Sequence, residues 1–85
     1  MTTLGRQRIA NLRAAMDAVT RRCAAVYIKR LDASDALWRP LPLDEWAARK
    51  KHLASLDREL DRLGRLHDRT LESLRRAEWH ADARR

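Results

Sequence analysis

Residues 53–74 read LASLDRELDRLGRLHDRTLESL. Leu53, Leu56, Leu60, Leu63 and Leu74 fall there at heptad a/d spacing, with steps of three and four. That pattern is one apolar seam along an α-helix, and it needs a second apolar surface to cover it. His67 and Thr70 occupy the a/d positions before Leu74 as polar layers, and Leu66 and Leu71 widen the stripe. Toward the N-terminus the same spacing returns at Ile9, Leu12, Met16, Val19, Cys23 and Val26. Arg30 interrupts this second stripe, and Ala33 and Leu37 resume it.

The connection between the stripes is Trp38-Arg39-Pro40-Leu41-Pro42-Leu43. Each proline disfavours helix at the residue before it, so the chain turns here. Pro42 suits the first turn of a following helix, Asp44 suits its cap, and Asp44 and Glu45 suit its positive end. The sequence predicts helix 1 over about 4–37, a turn over 38–43 and helix 2 over about 44–79, with residues 1–3 and 81–85 frayed. Residues 31–36, rich in Asp and Ser, are the weakest part of helix 1 and the place for a kink or early stop.

Two long helices on a short connection are antiparallel neighbours. Paired a/d residues should then have numbers with a constant sum. Val26 with Leu56, Val19 with Leu63 and Leu12 with Thr70 give 82; Cys23 with Leu60, Met16 with His67 and Ile9 with Leu74 give 83. Flanking positions agree, with Arg22 meeting Glu59, Arg6 meeting Glu78 and Thr20 meeting Gly64. The expected fold is all-α: one coiled-coil-like antiparallel hairpin over residues 1–85.

Composition supports this and narrows the function. An 85-residue chain buries only about 60% of the surface it exposes when unfolded, so oligomerisation or docking is a common remedy. A two-helix hairpin also leaves apolar residues uncovered. Ala10, Ala14, Ala18, Ala25, Ile28 and Leu31 form an outer stripe, and Trp38, Leu41, Leu43 and Trp46 gather at the turn. A second interface explains them, most simply a homodimer that makes a four-helix bundle. No apolar run is long enough to span a bilayer, and the N-terminus lacks the apolar stretch of a signal peptide. One cysteine allows no internal disulfide, which fits the cytoplasm.

Nothing points to catalysis. Cys23 lies in the seam, where a thiol is inert. His52, His67 and His80 lack the i, i+4 spacing of a helical metal pair, and there is no phosphate-binding glycine loop. No catalytic, cofactor or metal residue is expected. The net charge of +7 is concentrated. Residues 1–31 hold seven basic groups against Asp17 alone, which is +6. That charge can attract an acidic protein, a nucleic acid or a membrane surface, the last least, because the apolar stripes serve the seam.

The expected activity is therefore that of a small non-enzymatic interaction module with a protein partner. Its contacts are expected from Tyr27, Ile28, Leu31, Trp38 and Trp46, with Arg21, Lys29 and Lys50 as a charged rim. The alternative is a nucleic-acid-binding accessory protein using Arg8, Arg13, Arg21 and Lys29 on phosphates. In outline the chain is similar to the short secreted Trp-x-Gly hairpins that pair into four-helix bundles. Its own turn reads Trp38-Arg39-Pro40, without that glycine.

Overall fold

Two helices account for the fold in the computed structural model, which describes residues 2–83. Helix α1 is Thr3–Ala36 and helix α2 is Leu43–Ala83. They pack against each other as an antiparallel hairpin 64 Å long and about 15 Å across. Helix α1 runs unbroken through Asp32, so the weak segment neither kinks nor stops it. It ends instead where the prolines approach. The Leu37 and Trp38 amides donate back to Ser34 and Asp35 carbonyls at 3.1 and 3.2 Å, a 3₁₀-type tightening of the last turn. Pro42 lies just outside α2, and its carbonyl accepts the first helical bond from the Trp46 amide at 2.9 Å. Asp44 and Glu45 occupy the first turn, where the helix dipole favours them.

Residues 2–3 and 81–83 are more regular than the sequence predicts. Thr2 caps α1: its Oγ1 accepts a bond from the Gly5 amide at 3.0 Å. At the other end α2 continues to Ala83, and Ala81 is buried. The expected fraying of 1–3 and 81–85 is thus corrected for residues 2–3 and 81–83; the remaining positions lie outside the described residues.

The seam itself is formed by the predicted stripes. Ile9, Val19 and Val26 of α1 and Leu56, Leu63 and Ala81 of α2 are its buried apolar residues. Its register, however, is displaced. Val26, Leu56 and Leu63 make one cluster, with Cys23, Ala33 and Leu60 packed on it. Leu56 and Leu63 are seven residues apart, about 10.5 Å along the helix. Val26 joins them by sitting between the two, rather than opposite Leu56 alone. Val19 is buried but belongs outside this cluster, so the expected Val19–Leu63 pair is not made.

Of the ion pairs that cross the seam, Arg13–Glu78 and Arg30–Asp57 agree. Arg22–Glu59 forms as expected, at 2.8 Å. Glu78 pairs with Arg13 at 3.4 Å instead of with Arg6. Arg30 reaches Asp57. The paired numbers sum to 81, 91 and 87, centred about one helical turn above the expected 82–83. A Cβ built at Gly64 would meet nothing within 4 Å, so Thr20 does not pack there. The Thr70 hydroxyl donates to the Leu66 carbonyl of its own helix at 2.8 Å.

The displaced register gives the C-terminal turn a structural role. Ile9 is buried beside Ala81 and Glu78 at the open end. Ending the chain at Trp79 should uncover Ile9 and cost about 1–2 kcal/mol of its burial energy. A urea titration followed at 222 nm reads this directly; an unchanged midpoint would mean that the last turn covers nothing.

Candidate interaction surface

Because the seam uses one side of each helix, the surfaces left for function are two flanks and two backs. The ion pairs identify the flanks. Asp57 and Glu59 are two residues apart, hence about 200° apart around α2, yet both reach across to α1. They must leave the seam on opposite sides. Arg13 precedes Arg22 by nine residues, about 180° around α1, so Arg13–Glu78 lies on the side of Arg30–Asp57. The hairpin thus has an Asp57 flank, bracketed by two crossing pairs, and a Glu59 flank. These pairs are largely solvated, and each contributes at most about 1 kcal/mol. Their value here is as markers of geometry.

Helical phase now sorts the predicted contact residues. Leu31 follows Arg13 by eighteen residues, five full turns, and lies on the same line. Tyr27 is within about 40° of that line. On α2, Trp46 and Lys50 fall within about 20° of Asp57. Tyr27, Leu31, Trp46 and Lys50 therefore share the Asp57 flank toward the turn, and all four are exposed. The Lys50 ammonium stands 4.8 Å from the centre of the Trp46 ring, a cation–π contact that holds the indole against its own helix. Trp38, beyond the end of α1, projects from the tip and is 88% exposed.

The remaining predicted residues do not join this surface. Ile28 is two residues past the buried Val26, about 200° away, and faces outward from the back of α1. Arg21 lies on that back as well, seven residues before Ile28. Lys29 is seven residues past Arg22 and falls on the Glu59 flank. The outer alanine stripe through Ile28 is thus a separate face from the aromatic one. Sequence numbers alone could have separated them, once the seam-facing phase was fixed.

The basic set is dispersed in the same way. Arg8 falls near the Glu59 flank, Arg21 on the back, Lys29 on the Glu59 flank, and Arg13 is engaged with Glu78 on the Asp57 flank. Arg8 and Arg21 are about 140° apart around the helix and about 20 Å apart along it. They do not line one phosphate track.

Two grooves lie at the open end, where α2 continues past Trp79 to Ala83. One of about 340 Å³ is lined by Ile9, Ala10, Arg13 and Glu78. The other, about 480 Å³, is lined by Gly5, Arg8, Ala77 and His80, with Arg76 at its edge held by Glu72 at 2.6 Å. Both are open to solvent at the end of the hairpin. Cys23 is half-buried against the Val26 cluster. His67 is half-buried, its Nδ1 3.4 Å from Asp68. No helix is long and apolar enough to cross a membrane among the described residues. Comparison with protein families, with characterised proteins and with solved structures finds no match to this chain.

Proposed function

We propose that this chain is a small non-enzymatic interaction module that binds a protein partner, a second copy of itself included, through the Asp57 flank and the tip. The observation that carries this reading is Trp38, 88% exposed at the end of the hairpin. Tryptophan buries more apolar area than any other side chain and is seldom left in water without a use. Tyr27, Leu31 and Trp46 extend its apolar character along one flank, and Lys50 supplies a charged rim. Aromatic anchors framed by polar groups are the usual composition of an energetically dominant contact. Tyr27, Leu31 and Trp46 stand on helices, so little backbone ordering cost opposes binding at these three.

Replacing Trp38 and Leu31 together by alanine tests this. Both are exposed, so helicity should stay near that of the parent, whereas partner retention should fall at least tenfold, as for loss of a contact worth about 2 kcal/mol or more. Retention of the same protein by the double variant would refute the surface. The second reading, nucleic-acid binding by Arg8, Arg13, Arg21 and Lys29, is favoured by the +7 charge alone. Its signature in the same capture is loss of the bound material on nuclease treatment and steep weakening with salt.

A further inference from the structure

We infer that the protein on the Asp57 flank is a second copy of this chain, with Gly64 at the point of closest approach. This rests on the reading of that flank as a protein-binding surface and names its partner. The first observation is an excess of surface. A compact chain of 9.9 kDa exposes about 5,200 Å². This hairpin exposes 6908 Å². The difference, about 1,700 Å², is roughly twice the ~800 Å² that each partner contributes to a stable interface of standard size. Pairing two hairpins into a four-helix bundle removes an area of that order from water.

The second observation is Gly64. It sits in the interior of α2, where glycine is unfavourable, and the hairpin gives no reason for it. The space where its Cβ would stand is open, with nothing within 4 Å. Gly64 follows Asp57 by seven residues and so lies within about 20° of it, on the flank that carries Tyr27, Leu31 and Trp46. A missing side chain on a partner-facing flank lets another helix backbone come close.

Position along the helix decides the symmetry. Gly64 is one residue from Leu63, the midpoint of Leu43–Ala83. A twofold axis there lays two α2 helices antiparallel along their whole length, each residue meeting its complement about Gly64. Lys50 then falls opposite Glu78 of the second copy. Glu78 accepts one bond from Arg13 and keeps acceptor capacity for a second cation. The back stripe through Ile28 remains on the outside of this bundle, because a helix in a four-helix bundle turns its far side to water.

The test is light scattering coupled to size exclusion on the full chain, with helicity measured alongside. The parent should show twice the 9.9 kDa chain mass. Gly64→Leu, which the open space accommodates within the hairpin, should stay helical and show the single-chain mass. Gly64→Ala should raise the dimer dissociation constant by about tenfold or more, the cost of overpacking a close approach. This milder variant keeps the test decisive if the leucine variant misfolds. Ile28→Asp should leave the dimer mass intact. A parent chain that is monomeric at high micromolar concentration overturns the second copy as partner, and the flank reading then stands or falls on the Trp38 and Leu31 variant. A dimer that survives Gly64→Leu but dissociates on Ile28→Asp overturns the assigned flank while leaving self-association.

Discussion

Val26→Asp is expected to abolish the hairpin at neutral pH. Val26 is 1% exposed and is the most deeply buried large side chain among the described residues. It sits between Leu56 and Leu63, with Cys23, Ala33 and Leu60 closing the cluster. A carboxylate there enters an apolar cluster, with Arg22 and Arg30 one helical turn to either side of it along α1 and already engaged with Glu59 and Asp57. An unpaired buried charge costs several kcal/mol, about the whole stability of a domain this small. Circular dichroism at 222 nm should show the helical signal lost at pH 7.

The same substitution predicts a pH dependence with a definite sign. Burial among apolar atoms raises the folded-state pKa of the new carboxyl above its unfolded value. The penalty is therefore absent below the unfolded pKa and grows as pH rises through and above it. Acidification should restore helix to Val26→Asp but not to Val26→Asn, which cannot titrate. Val26→Ala, by contrast, should remain folded and lose about 1–3 kcal/mol. A Val26→Asp protein as stable as the alanine variant would place this side chain in contact with water.

The second large effect is Leu63→Ala, with an expected loss of about 2–4 kcal/mol. Its use lies in what it couples to. Leu63 shares a cluster with Val26 and not with Val19. In a double-mutant cycle, Val26→Ala with Leu63→Ala should show a coupling of about 0.5 kcal/mol or more. Val19→Ala with Leu63→Ala should be additive within about 0.5 kcal/mol. All variants are compared at one protein concentration, because association of copies adds to apparent stability. The reverse pattern of couplings would restore the register predicted from number sums.

That register shows where the sequence stops being decisive. Heptad spacing in residues 9–37 and 53–74, with Pro40 and Pro42 between them, determines two helices, a turn and an antiparallel seam. Helix bounds follow within a few residues because prolines and caps act locally. A stripe of a/d residues, however, maps onto itself when shifted by three or four positions. Val26 opposite Leu56 and Val26 between Leu56 and Leu63 satisfy the same pattern, and number sums do not separate them. Arg6 and Arg13 lie one heptad apart, so both answer to Glu78 equally well on paper.

The eight residues expected as contacts are not brought together as one surface. Tyr27, Leu31, Trp46 and Lys50 share a flank, while Ile28 and Arg21 face the back and Lys29 the opposite flank. Exposure of Trp38 at the turn was legible in the letters; openness at Gly64 was not, since it depends on what the other helix fails to cover.

The letters by themselves determined the periodicity, the turn and the charge asymmetry, which are properties of neighbours along the chain. Tertiary structure alone decided the register and the burial of Ala81. The physical reason is that packing energy depends on which side chains meet across the seam. Registers one turn apart present nearly identical stripes, and only the fit at both ends of the hairpin tells them apart.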